Sequence, residues 1–264
     1  MLLRLLASAH GRSLAEGFAA QPLTSFIVEG DGAGPLAVDA GAIGLIDDVD
    51  EMLRVREIVL THAHIDHVAT LPMFVEALVA RGRAPVLVHA SPGAIEALRA
   101  HLFSGPLFPD FEALTEPDGR PLMRLVPFPL EHPFDLAGFA LTAFEVNHPV
   151  PTHGLLVDDG ETAIVLGADS GPTERLWEIA RSSPRVRAVV LEASFPDALQ
   201  VIADGSGHLT PDTLRAELAK APSNVRVLIT HMKPAYRAEI RAAIAAIGDD
   251  RVELLEPGTE VQFS

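Results

Sequence analysis

The sequence predicts an α/β fold in one domain, with helices packed outside β-sheets. Short β-branched runs alternate with helical patterns in both halves of the chain, the order that yields sheets covered by helices. Hydrophobic residues make up 48% of the chain and charged residues 21%, an ordinary globular balance. The 264 residues allow one large domain or two small ones, at about 150 residues per domain. No internal linker, low-complexity tract or short repeat divides them, so one domain over 1–264 is expected.

Leu2 to Leu6, Ser25 to Glu29 and Leu36 to Val38 read as strands. Met1 to Ala9 is apolar with one arginine but has no long apolar core. It is read as a buried strand rather than a secretory leader, and a cytoplasmic location is expected ahead of a periplasmic one. Gly30 to Pro35 contains GxGxG, but no helix follows, so it reads as a hairpin turn and not a phosphate loop. Glu57 to Thr61 is the next strand, with a helix from Val68 to Ala80. Val86 to His89 is a strand, and Ser91-Pro92 caps a helix running to Leu102.

From Phe103 to Phe134 the pattern breaks. Seven prolines and several phenylalanines predict an insertion with little regular structure, suited to a lid, at about 103–134. Strands resume at Ala140 to Val146, Gly154 to Val157 and Ala163 to Leu166. A helix from Thr173 to Ala180 precedes a strand from Arg187 to Leu191. Trp177 lies on the apolar side of that helix and is expected in the core. Thr210-Pro211 opens a helix to Lys220, Val225 to Thr230 is a strand, and Ala235 to Ile247 is an alanine-rich helix.

The net charge of −16 repels polyphosphate, which argues against a long nucleic-acid partner. A bound divalent ion would supply local positive charge that no residue count shows. The absence of cysteine removes disulfides, zinc–thiolate sites and a thiol nucleophile. No apolar run reaches the roughly 18 residues that span a bilayer, so no membrane partner is expected.

Chemistry concentrates in Thr61-His62-Ala63-His64-Ile65-Asp66-His67, at a strand-to-helix turn. Imidazole nitrogen and carboxylate oxygen suit zinc and neighbouring metals. His62 and His64 are two apart and share one face of an extended segment. Asp66 and His67 lie on the turn and can serve a second ion. His10, His89, His101 and His132 have no partner at ligand spacing.

This motif resembles the hallmark of the metallo-β-lactamase superfamily. The resemblance implies an αββα sandwich of two mixed sheets and two divalent metal ions, zinc first, with manganese or iron as alternatives. It implies three further ligands: a histidine after a strand, a bridging aspartate, and a histidine after a late strand. His148, Asp169 and His231 follow apolar strands in that order. His153 competes with His148, but in related enzymes the ligand precedes the next strand by several residues, which favours His148. Asp39, before Ala40-Gly41, resembles the superfamily's Asp-x-Gly strand end, which implies that it positions a ligand histidine. Such a centre holds its ions about 3.5–4 Å apart and generates hydroxide at neutral pH.

Three later segments narrow the resemblance. Leu191-Glu192-Ala193-Ser194-Phe195-Pro196, Ser206-Gly207-His208-Leu209-Thr210-Pro211 and Thr230-His231-Met232-Lys233-Pro234 are similar to the class II cyclic-nucleotide phosphodiesterases. The similarity extends from Gln21-Pro22-Leu23-Thr24-Ser25 to Lys233-Pro234. A broader kinship to the tRNA 3′-processing endonucleases shows in Glu192, His208 and Thr210. Two positions depart from the family pattern: Ile65 stands in place of Leu, and Thr70 in place of a small Gly or Ser.

The resemblance implies hydrolysis of 3′,5′-cyclic AMP or GMP to the 5′-monophosphate. His208 would be the general acid and Glu192 its orienting partner, with Asp66 in the catalytic set as well as a ligand. Thr210 would bind a phosphate oxygen or cap a helix, and Lys233, beside His231, would meet substrate phosphate or stay solvated. The implied partners are a small cyclic nucleotide and a second copy of the chain in a homodimer. The alternatives are a related hydrolase acting on RNA ends, cyclic dinucleotides, a lactone or a thioester, or a non-catalytic nucleotide-binding protein. Phe103, Phe108, Phe111 and Phe128 are candidates to stack on a base, although core packing is the commoner fate of such rings.

Overall fold

The computed structural model describes residues 1–7, 23–55 and 57–263. His10, Gln21 and Pro22 lie outside them. Along the first half run β1 (Leu2–Leu5), β2 (Phe26–Gly30), β3 (Ala33–Val38), α1 (Val49–Arg54), β4 (Glu57–Val59), α2 (Ile65–Val68), α3 (Leu71–Val79), β5 (Val86–Ala90), α4 (Pro92–Ala97) and β6 (Met123–Pro127). The second half holds β7 (Pro133–Leu136), β8 (Phe139–Glu145), β9 (His153–Asp158), β10 (Ala163–Leu166), α5 (Arg175–Ser182), β11 (Val186–Glu192), α6 (Gln200–Ser206), α7 (Pro211–Leu218), β12 (Arg226–Thr230), α8 (Arg237–Ile247), β13 (Val252–Leu254) and β14 (Glu260–Gln262).

Among the described residues the strands form two seven-stranded sheets, β14-β1-β2-β3-β4-β5-β6 and β13-β12-β11-β10-β9-β8-β7. In each, four strands pair antiparallel and the remainder continue in parallel. The sheets face each other across Leu3, Val28, Leu36, Leu141, Val157, Ile164 and Leu228. On the first sheet's other face, Phe74, Val75 and Leu78 of α3 and Ile95 of α4 form a second core. Trp177, Leu214 and Ile240 bring α5, α7 and α8 onto the second sheet. The layers are helix, sheet, sheet, helix, the αββα sandwich. Among the described residues no helix is long and apolar enough to cross a membrane.

The expected insertion at 103–134 is more ordered than its prolines suggest. Met123–Pro127 is a strand paired parallel to β5, and Pro133–Leu136 pairs with β8. Both are edge strands, where a missing N–H can face outward without breaking a ladder. Phe103 and Phe111 are buried and pack with Phe108 against the helix side of the first sheet. Phe128 joins the core between the sheets and stacks on Phe134. Of the four candidate stacking rings, Phe103, Phe111 and Phe128 are buried in cores and Phe108 packs, partly buried, against one.

Three helices escaped the sequence reading, among them the single turn α2, which holds Asp66 and His67 where a non-helical turn was expected. α1 buries none of its residues, so it has no apolar period, although Asp48 caps it by accepting from the Asp50 and Glu51 amides. α6 carries its apolar residues outward, with Val201 85% exposed.

Trp177 is fully buried, and its indole N–H donates to Glu217 Oε2 at 2.7 Å. Lys220 Nζ holds the other oxygen at 2.7 Å. Trp177→Phe keeps most of the apolar volume but leaves a buried carboxylate oxygen without its donor. The expected loss is about 1–3 kcal/mol, read as a lower urea midpoint by circular dichroism. An unchanged midpoint would show that this bond adds nothing to stability.

Candidate metal centre

Each residue of the centre stands at or just beyond the C-terminal end of a strand. Asp39 follows β3, His62 to His67 follow β4, His148 follows β8, Asp169 follows β10, Glu192 ends β11 and His231 follows β12. Three of these strand ends turn through left-handed backbone without glycine: Asp39 at φ 62°, Ala168 at 55° and His231 at 59°. Such conformations cost free energy and persist only where surrounding contacts enforce them.

The turn after β4 is pinned by its backbone. Thr24 N–H donates to Asp66 O at 2.8 Å, and Ala40 N–H to His67 O at 2.7 Å. Gly41 is needed there, because a Cβ would lie 1.9 Å from Asp66 O. Thr70, the departure from the family pattern, has a use. Its hydroxyl accepts from Gly44 N at 2.7 Å and donates to Ala40 O at 3.2 Å. Ile65, the other departure, is 69% exposed, so its branching has no packing consequence.

The structure brings all seven expected ligands together in two overlapping groups. His62, His64, His148 and Asp169 form one; Asp66, His67, Asp169 and His231 form the other. Within each group the donor atoms lie within 4.8 Å of one another. Asp169 belongs to both. Its Oδ1 is 3.4 Å from His67 Nε2 and 3.6 Å from His231 Nε2, and its Oδ2 is 3.9 Å from His62 Nε2. His148 Nε2 lies 3.2 Å from His64 Nδ1, and His231 Nε2 lies 3.3 Å from Asp66 Oδ2.

The outer nitrogens of four histidines are engaged, which orients their inner nitrogens. His67 Nδ1–H donates to buried Asp39 at 2.7 Å. His62 Nδ1 meets Thr61 Oγ1 at 3.0 Å, and that hydroxyl donates to Asp39 Oδ2 at 2.9 Å. His148 Nδ1–H donates to Gly207 O at 3.0 Å. His231 Nδ1 meets Ser194 Oγ at 3.1 Å. Gly207 permits the His148 contact, since a Cβ there would lie 2.7 Å from Pro149 and 3.0 Å from His148 Cα.

A metal pair fits this arrangement. His62 Nε2 and His67 Nε2 are buried, turned toward Asp169 and without a hydrogen-bond partner. An unpaired buried nitrogen is costly, and two of them facing one carboxylate form a donor set of the kind divalent ions take. Burial and neighbouring His67 push His62 well below the ordinary histidine value, so it is neutral with a free lone pair. For His67 burial acts downward, but the carboxylates of Asp169 and Asp39 outweigh it and hold the ring protonated when no metal is bound. Metal uptake there displaces a proton.

His153 stays outside both groups. It is buried edge-on to Phe128, and its backbone N–H donates to Thr61 O at 3.1 Å, joining the two sheets. Beside the second group, His208 Nδ1–H donates to Glu192 Oε1 at 2.5 Å. Burial lowers the His208 pKa, but the bond and charge of Glu192 overcome that, and the net shift is upward. α6 ends at left-handed Gly207 and delivers His208, whose N–H donates to Ala203 O at 2.9 Å.

Of the two roles expected for Thr210, the structure shows the helix cap. Its side chain accepts from Thr213 N and its hydroxyl donates to Gln200 Oε1 at 2.6 Å, with the residue fully buried. Lys233 is half-buried, near enough that its charge opposes protonation of His208. Sequence reasoning assigned no role to Ser194 or Ser170, whose hydroxyl and backbone N–H respectively hold Glu192.

A family model described as the beta-lactamase superfamily domain matches residues 45–232. A Ribonuclease Z from Bradyrhizobium diazoefficiens is 27% identical, over 73% of this chain and 77% of that relative. Unliganded PDE1 from yeast superposes with a TM-score of 0.76 at 16% identity, covering 98% of each chain. The short form of human tRNase Z superposes at 0.68 with 19% identity, covering 99% of each. These two structures share the fold.

Asp39→Asn tests the support beneath the ligands. Asparagine tolerates left-handed backbone but removes the charge that holds His67. Metal affinity is expected to fall about 10–100-fold, measured by zinc competition against a chromogenic chelator.

Proposed function

The chain belongs to the beta-lactamase superfamily domain family, and from that premise we propose that it is a metal-dependent phosphodiesterase. Its proposed substrate is a 3′,5′-cyclic nucleotide such as cAMP or cGMP, converted to the 5′-monophosphate. The observation that carries this reading is the Glu192–His208 pair beside the Asp66/His231 side of the metal centre. A protein that only bound nucleotide would have no use for a general acid there.

In this reading His62, His64, His148 and Asp169 would hold one ion, and Asp66, His67, Asp169 and His231 the second. Zinc suits these nitrogen and oxygen donors. Bound there, the ions would supply Lewis acidity and an activated water at neutral pH.

The remaining steps belong to side chains. Glu192 engages His208 Nδ1–H, so Nε2 of the imidazolium is the atom that hands a proton to the departing ribose O3′. Glu192 keeps that imidazolium available by stabilising its charge. Asp66 belongs to the catalytic set as an ionised carboxylate beside His231: burial raises its pKa, but the bond to His231 and the nearby His67 charge outweigh that and hold it well below the usual carboxylate range. Lys233 meets a non-bridging phosphate oxygen.

A second reading, processing of RNA ends, is favoured by the likeness to Ribonuclease Z. The net charge of −16 opposes it, because a polyanion would have to approach a negative surface.

Zinc-reconstituted protein is expected to convert 3′,5′-cAMP to 5′-AMP, followed by chromatography against a chelated control. No 5′-AMP, together with trimming of a precursor tRNA 3′ end, would establish the ribonuclease reading instead. His208→Ala is expected to lower turnover about 10²–10⁴-fold while binding two zinc ions at saturation. Asp169→Ala should lose both turnover and metal. A near-normal rate in His208→Ala would remove it from the role of acid.

A further inference from the structure

We propose that Ser194 is a positioning residue that couples metal binding at His231 to the orientation of His208. The inference rests on His231 being a metal ligand, as proposed above, and not on the identity of the substrate.

Ser194 follows β11 and is fully buried. Its Oγ is 2.5 Å from Glu192 Oε2, 3.1 Å from His231 Nδ1 and 3.3 Å from His208 Nδ1. The carbonyl of His231 lies 3.0 Å away. A hydroxyl has one hydrogen and two acceptor lone pairs. The nearest and only charged acceptor is Glu192, so the hydrogen goes there. The Ser194 oxygen is left to accept, and the donor aimed at it is His231 Nδ1–H. The His208 Nδ1 proton is claimed by Glu192 Oε1, which is nearer than Ser194.

The result is one directed chain. His231 Nδ1–H donates to Ser194, Ser194 donates to Glu192 Oε2, and Glu192 Oε1 accepts from His208 Nδ1–H. At one end, His231 presents Nε2 to Asp66 and Asp169. At the other, the Nε2 of His208 is left for substrate. The remaining oriented ligand histidines are held by groups that do not reach Glu192. His67 leans on Asp39, His62 on Thr61 and His148 on the Gly207 carbonyl. His148 meets the His208 ring edge-on, but among these histidines His231 is the one whose outer nitrogen reaches Glu192 through a single hydroxyl.

Hydrogen bonds in series polarise one another. A cation on His231 Nε2 makes Nδ1–H a stronger donor, and the effect passes through Ser194 to the carboxylate that orients His208. Linkage is reciprocal, so weakening Glu192 weakens the metal site, and under the proposal that effect takes the Ser194 path rather than the Ser170 N–H, which holds Glu192 Oε1 from the residue after Asp169.

The test is a double-mutant cycle read by zinc affinity, using competition with a chromogenic chelator on full-length protein. Ser194→Ala is expected to weaken the affected zinc site about 10–100-fold. Glu192→Gln should weaken it less. The double variant should match Ser194→Ala alone, because the path is already cut. Unchanged zinc affinity in folded Ser194→Ala would overturn the proposal. So would additive losses, which would mean that Glu192 acts through space.

Should Ser194→Ala not fold, the wild-type protein still decides the matter. Imidazole nitrogen NMR of the zinc-loaded enzyme should find His231 protonated at Nδ1 and metallated at Nε2, and any other state overturns the coupling. Neither readout involves turnover. Failure to hydrolyse cAMP therefore bears on the substrate, whereas an additive cycle bears on Ser194.

Discussion

The molecule is organised around one buried negative charge. Asp169 is only 3% exposed, and a carboxylate removed from water costs several kcal/mol unless it is matched. Its neighbours come from both sheets: His62 and His67 from the turn after β4, His231 from the end of β12. The sheets are held in register at this rim by polar contacts as well as by the apolar layer between them. The left-handed turns at Asp39, Ala168 and His231 belong to the same constraint. Each lies at a strand end beside this charge or beside a histidine that faces it, and the contacts made there offset what the conformation costs.

How much of this was readable depended on how locally each feature is encoded. The αββα layering follows from alternating strand and helix patterns, with motif resemblance giving its topology. His62, His64, Asp66 and His67 crowd into six positions, where composition alone signals chemistry. His148, Asp169 and His231 are single residues at strand ends, and only their order and resemblance singled them out from His153. The geometry separates the two histidines physically, with one in the cluster and the other under Phe128. Thr210 illustrates a different limit. Thr-Pro before a helix signals a cap, but that its hydroxyl also bonds Gln200, ten residues earlier, is tertiary information.

Other features were hidden because their pattern was atypical. β6 and β7 carry prolines that read as breakers, and edge position makes them tolerable. α6 shows solvent its valine and isoleucine, so it has no period to detect, yet its C-terminal turn delivers His208. The role of Ser194 has no sequence signature. A serine after a strand is common, and its importance comes from three elements converging on one oxygen.

The pairing of β14 with β1 sets the order in which this fold can be completed. The first sheet begins with residues at the start of the chain and ends, on that side, with a strand made after every other strand and helix described. The two strands are nearly a full chain length apart in sequence, a contact of high order that closes slowly. Until β14 arrives, β1 has an open edge with unpaired backbone groups, able to pair with the wrong chain. During synthesis the metal-binding turn after β4 is therefore made long before its sheet is closed. Protection of that edge in the nascent chain becomes a requirement of making the enzyme, separate from anything required for its chemistry.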